Sequence, residues 1–219
     1  PMYAAMPAVL KDAIERSYQK VGWDLRNSES EKGIFPTFFD LLDILPGVIE
    51  ESHYSKDTQS DYVGALCTRV KSLTNGIYGS VLCAEDALSD AEMFDQNVIV
   101  DLSRVGSMET KSLLMGILVM KLQEYRMCSS GMNSRLRHVT VLEEAHNLLR
   151  KTSAEQSQEG ANLQGKSVEM LANAIAEMRT YGEGFIIADQ APGLLDMSVI
   201  RNTNTKIILR LPDEEDRKL

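Results

Sequence analysis

No stretch of this chain is long and apolar enough to read as a membrane span, which takes roughly 20 such residues. The longest apolar run, residues 113–120, is broken by Gly116 and flanked by Lys111 and Lys121. A leader pattern is also missing, and the sequence opens on Pro1, so it reads as a segment excised from a longer protein. Cysteines are few. Cys67, Cys83 and Cys128 are odd in number and lack metal-ligand spacing. With no leader, they read as reduced thiols of a cytoplasmic protein, each packed as a small hydrophobe. Positive charge is also scarce: 23 Lys and Arg face 32 Asp and Glu, for a net charge of −9. That argues against a broad nucleic-acid-binding face. A narrow basic pore or loop remains open, because local charge governs contact. Arg126 and residues 135–138 are candidates for such a pore, and equally for surface caps.

The remainder of the composition is ordinary. Hydrophobic residues make up 43% and charged residues 25% of 219 positions, as in a soluble globular protein with ample material for a core. The first third reads as a helical subdomain over residues 1–96. A helix is expected over residues 1–23, from the spacing of Val9, Leu10, Ala13 and Ile14, with Gly22 as its stop. Residues 24–33 read as a polar loop. Thr37 is placed to open a second helix in a capping-box-like pair with Asp40. Pro46-Gly47 is expected to interrupt that helix, and residues 52–60 to form another break. A helical pattern resumes over residues 61–73 and stops at Asn75-Gly76. No obvious chemistry lies in this part.

The texture changes at Asn97, and residues 97–219 read as an α/β domain. Residues 98–102 (V-I-V-D-L) look like a buried parallel strand. A long helix follows from Met108 to about Met127, begun by Ser107. Residues 139–142 are a second strand, and residues 143–150 a short helix. Residues 151–164 read as a surface loop and residues 167–181 as a helix. Residues 185–188 form the next strand, ending in Asp189-Gln190. Residues 197–200 suit a helical turn, residues 206–210 a last strand, and residues 212–219 an acidic helix or tail. Strands alternating with helices imply a mostly parallel sheet with flanking helices.

The chemistry concentrates at residues 139–146, V-T-V-L-E-E-A-H. A strand that ends in two carboxylates sets charge at the carboxyl edge of the sheet, where open α/β sheets bind ligands. One carboxylate can hold Mg²⁺ directly or through water, and the other can orient and deprotonate a water. A plainer reading also stands. A strand running into a helix N-terminus favours Glu through the helix dipole alone.

A second string competes for attention. Residues 160–167, G-A-N-L-Q-G-K-S, fit the phosphate-loop pattern G-x-x-x-x-G-K-[ST] through Gly160, Gly165, Lys166 and Ser167. The mechanism needs a buried strand entering the loop, so that backbone N–H groups and a helix dipole converge on phosphate. Residues 150–159 hold no apolar run. The string therefore reads as a Gly-rich linker, and a permuted GTPase built on it is disfavoured further by the lack of any N-K-x-D string.

Taken together, these motifs resemble the HerA/VirB4-type ATPases of the FtsK–HerA superfamily. The matching stretches are residues 98–103, V-T-V-L-E-E-A-H, A-E-M-R-T-Y-G-E-G-F-I-I-A-D-Q-A-P and N-T-N-T-K-I-I-L-R-L, over about residues 97–213. The resemblance implies a RecA-like fold and a hexameric, ATP- and Mg²⁺-dependent motor that moves DNA or a conjugative substrate, with a nuclease or secretion partner. It implies that Glu143 lies near Mg²⁺, that Glu144 is the general base, and that Gln190 senses the γ-phosphate. Arg179 would be an arginine finger acting in trans, with Arg201 and Arg210 weaker candidates. His146 reads as structural. In this family the phosphate loop precedes the helical region. The first, central strand is therefore expected to be absent here, leaving an anomaly in the sheet. The alternative is a non-catalytic oligomerisation or interaction module derived from such an ATPase.

Overall fold

A computed structural model describes residues 6–84, 86–151, 160–211 and 213–218, with backbone alone for 160–166. The chain forms two compact units, Pro1–Ala87 and Leu88–Leu219. The division falls ahead of the expected 96/97 boundary because Phe94 and Met93 pack in the second core.

In the first unit, α1 (Met6–Lys20) buries Met6, Val9, Ala13 and Ser17. The Ser17 hydroxyl is satisfied by the Ala13 carbonyl at 2.7 Å. The expected loop after it contains a two-residue hairpin, β1 (Trp23–Asp24) antiparallel to β2 (Glu29–Ser30). Aromatic packing closes it: the Trp23 and Phe35 rings lie 4.9 Å apart, and Trp23 Nε1 donates to the Ile34 carbonyl at 2.6 Å. Next comes α2 (Phe38–Glu51), whose Asp40 carboxylate accepts from the Thr37 N–H at 2.9 Å. Pro46 does not interrupt this helix. Proline forfeits one backbone hydrogen bond, but Leu45, Val48 and Ile49 on either side of it are buried and hold the rod together.

A single helical rod then changes pitch: α3 (Lys56–Tyr62), a π turn (Val63–Cys67) and α4 (Thr68–Thr74). Tyr62, Leu66 and Val70 are its buried residues facing the core. In α geometry a four-residue repeat drifts by about 40°. The wider π turn winds that drift back and keeps the three on one face. Asn75 breaks the rod, and α5 (Gly76–Leu82) follows.

The second unit is α/β. Its first helix is α6 (Asp90–Phe94), boxed by Ser89 and Glu92. Next is α7 (Met108–Ser129), capped by the Ser107 hydroxyl. The strands β3 (His138–Glu143) and β4 (Glu183–Ala188) are joined through α8 (Gly160–Met178) and pair parallel in register, His138 with Glu183 through Glu143 with Ala188. The last helix is α9 (Met197–Asn202). The core gathers Met115, Val119, Leu122, Leu142, Leu149, Leu171, Ile175 and Met178. Phe185 and Ile187 pack on it, while Val139, Val141 and Ile186 on the other face are 41%, 55% and 54% exposed.

Several expectations need correction. Among the described residues, the segments 98–102 and 206–210 pair with nothing. Hydrophobic runs report a preference for burial, and a strand also needs a neighbour to complete its ladder. Ile99, Ile207 and Leu209 are 95%, 86% and 84% exposed. Asp101 further turns the chain by accepting from the Ser103 N–H at 2.8 Å. The expected helix at 143–150 is only a 3₁₀ turn, Ala145–Asn147. Cys128 is exposed, not packed.

Arg126 is no pore residue. It is 5% exposed in the interior of the unit. Its Nε donates to Glu183 at 2.8 Å, its Nη1 to Asp95 at 2.6 Å and its Nη2 to the Phe94 carbonyl at 2.5 Å. Burial alone would lower its pKa, but the hydrogen bonds it donates to Asp95 and Glu183 more than offset this and raise it. Glu183 is itself 1% exposed and also accepts from Thr140 at 2.6 Å, with His138 Nδ1 at 2.8 Å.

Two predictions follow from this cluster. Arg126→Met strands a buried carboxylate, so urea unfolding should show a loss of about 3–5 kcal/mol. The hydrogen bond from Tyr125, and then that from Arg126, holds the Asp95 carboxyl below its ordinary 3.8. A depressed carboxyl adds stability above its unfolded pKa and loses it as pH falls through the folded one. Asp95→Asn should therefore flatten the fall in melting temperature below about pH 4.

Candidate functional site at the carboxyl edge of β3 and β4

β3 ends in Glu143 and β4 runs out into Asp189-Gln190 at the same edge, because their register is parallel and unshifted. On β3, Glu143 follows Val139 and Val141 on the exposed face by strand alternation. Its side chain makes no hydrogen bond or ion pair among the described residues. Glu144 leaves the strand with φ 52° and ψ 45°, in the left-handed region. That conformation costs a non-glycine residue roughly 1–2 kcal/mol. It turns the chain into the 3₁₀ segment and separates the two neighbouring carboxylates. Buried Ala145, Leu148 and Leu149 hold the turn in place.

From β4, Gln190 reaches across and donates its Nε2 to Glu144 Oε1 at 3.0 Å. Asp189 lies beneath, with a side chain 3% exposed. It accepts from the His146 N–H at 2.8 Å and the Ala191 N–H at 2.9 Å. His146 Nδ1 stands 2.9 Å from Asp189 Oδ2. With Asp189 acting only as an acceptor, that ring nitrogen carries the hydrogen. His146 Nε2 faces Glu144 Oε2 at 3.6 Å, beyond hydrogen-bond reach and an ion pair only for the imidazolium, in which both ring nitrogens carry hydrogen.

Glu143, Glu144 and Gln190 therefore share one edge. Arg179 does not join them. It opens the 3₁₀ turn Arg179–Tyr181 ahead of β4, at the opposite end of the strand, and is exposed. Arg201 and Arg210 are exposed as well. Gly160, Gly165, Lys166 and Ser167 lie within α8, so this string is helical backbone with no loop. Past the first turn its N–H groups, those of Lys166 and Ser167 included, run along the axis to helical carbonyls and form no loop around a phosphate. The expected linker at 151–164 is corrected to helix from Gly160 onward; residues 152–159 lie outside the described residues.

Two functional candidates escaped the sequence reading. Sequence alone singles out Gln190 ahead of Asp189 and reads His146 as structural. The available signal was that both strands run into an acid at the same register, which brings the residues after them together.

Among the described residues, no set of three or more His, Cys, Asp or Glu could hold a metal by itself. Mg²⁺ does not require one, because it keeps several waters and binds through one or two carboxylates plus phosphate oxygens. Comparison with protein-family models, curated proteins and solved structures finds no match for this chain.

The strained turn yields a stability prediction. Glu144→Gly should raise the unfolding free energy by up to about 1 kcal/mol, because the relieved left-handed penalty exceeds an exposed hydrogen bond worth about 0.5. Glu144→Val should lower it. Thermal melts of the two variants check the sign.

Proposed function

We propose that this chain carries the hydrolytic edge of a HerA/VirB4-type motor ATPase with a RecA-like fold. The observation that supports the reading is the meeting of Glu144 and Gln190, 3.0 Å apart, at the carboxyl edge of an unshifted parallel pair. In this reading Glu144 orients a water and takes its proton, and Gln190 holds one oxygen of that carboxylate. Glu143, exposed and without a partner among the described residues, is free to bind Mg²⁺ through water; the cation would neutralise phosphate charge when present. These residues fit the metal and water side of ATP hydrolysis. The described residues do not fit the phosphate side, because the matching string is helical. Phosphate binding is therefore assigned to polypeptide outside this sequence.

Exposed Arg179 suits a role in trans on the neighbouring subunit of a hexamer. DNA or a conjugative substrate, a nuclease or secretion partner, and a cytoplasmic location belong to the same proposal. No helix among the described residues is long and apolar enough to cross a membrane. A second reading, a non-catalytic assembly module, is favoured by the exposed segments 98–100 and 207–209.

The test is Glu144→Gln in the protein as its gene encodes it. ATP hydrolysis should fall at least about 100-fold with ATP binding retained. Unchanged hydrolysis supports the assembly module. Calorimetric titration of residues 1–219 alone should give no tight ATP affinity, and tight binding would return attention to Lys166 and Ser167.

A further inference from the structure

The turn after β3 contains one group that the proposed chemistry leaves unused. His146 spans two carboxylates of very different exposure. Asp189 is 3% exposed and Glu144 is 48% exposed. The buried partner is the anchor. Asp189 fixes both the backbone and the ring of His146, through the N–H at 2.8 Å and Nδ1 at 2.9 Å. Its remaining bond, from the Ala191 N–H at 2.9 Å, ties it to the end of β4. A ring held this way has its second nitrogen aimed at Glu144, and as the imidazolium, with hydrogen on both nitrogens, it attracts that carboxylate. Nε2 lies 3.6 Å from Glu144 Oε2, while Gln190 occupies Glu144 Oε1 at 3.0 Å.

The geometry points to His146, oriented by Asp189, as a positioning residue that fixes the Glu144 carboxylate against Gln190. This inference rests on the proposed role of Glu144. A carboxylate nearly half exposed, on a left-handed residue, has many rotamers available to it. The Gln190 amide at one oxygen and the imidazolium near the other narrow that freedom. They also make the orientation of the base depend on where the end of β4 lies. Misplacement of a reacting group by about 1 Å can cost on the order of 100-fold in rate. Asp189 and His146 touch no reacting atom in this scheme. They act through Glu144.

The discriminating variant is His146→Asn. Its side-chain amide can keep a contact with Asp189 but is too short to reach Glu144. If His146 only staples the turn, this variant rescues everything. If it positions Glu144, two things change. In residues 1–219, the Gln190 side-chain amide resonances shift, because the Glu144 oxygen they bond is released, while the melting temperature stays close to that of the parent. In the protein as its gene encodes it, kcat for ATP falls about 100-fold with KM unchanged. Asp189→Asn should reproduce the amide shift, and should also expose the His146 ring N–H to rapid solvent exchange.

Unchanged Gln190 resonances in His146→Asn overturn the inference. So does unchanged kcat in that variant where Glu144→Gln abolishes hydrolysis, and the ATPase reading then still stands. If the parent protein hydrolyses no ATP, the ATPase reading falls, and the amide resonances alone decide whether His146 positions Glu144.

Discussion

The second unit depends on a buried charge that cannot be left alone. Glu183 begins β4 with a fully buried side chain, and an isolated carboxylate there would cost several kcal/mol. Arg126, Thr140 and His138 satisfy it from α7 and from β3. The register of the strand pair, the height of α7 over the sheet and the position of α6 are thus tied to one carboxylate. Such a network is a poor source of net stability, since two apolar side chains would fill the space more cheaply. Its contribution here is alignment. A slip of one residue in β4 would move Glu183 to the opposite face and break all three bonds.

The opposite end of the same two strands repeats the chemistry. There, Asp189 is buried and holds His146, as Glu183 holds His138. Each strand end is pinned by a buried carboxylate from β4 and an imidazole from the β3 side. The two ends differ in what lies beyond the imidazole. At the amino edge, Arg126 neutralises the carboxylate and the cluster closes on itself. At the carboxyl edge, His146 faces Glu144, whose half-exposed side chain sits on a left-handed residue and accepts from Gln190. A rigid strand pair thus presents one half-exposed carboxylate to solvent, held by its neighbours at the same edge.

Sequence patterns captured what is local. The strands β3 and β4, helix α7 with its Ser107 cap, and the Thr37–Asp40 pair each rest on neighbouring residues or on one uninterrupted period, and each was legible. The rest depended on partners far along the chain. Arg126 looks like a surface cation until Glu183, 57 positions later, is placed beside it. Pro46 looks like a break until the burial of Leu45 and Ile49 is counted against one lost hydrogen bond. Glu144 and Gln190 were singled out separately, each at a strand end. Their contact, and the buried Asp189 beneath it, required the parallel register. The string at residues 160–167 misleads for the converse reason: it has the right letters, but Lys166 and Ser167 lie inside a helix that leaves no loop to wrap a phosphate.

The unpaired segments carry the strongest energetic consequence. Val98, Ile99, Val100, Ile207, Ile208 and Leu209 are all substantially exposed. Full burial of one such side chain is worth about 1.5–3 kcal/mol. After allowing for the part already covered, on the order of 10 kcal/mol of apolar burial goes unrealised. That is comparable to the whole stability of an ordinary domain. The bare face formed by Val139, Val141 and Ile186 adds to it, and parallel sheets bury both faces. The two readings of function meet at this point. An ATPase edge lacking its phosphate-binding strand and an assembly module would expose the same surface. They differ in whether covering that surface also completes the chemistry proposed at Glu144.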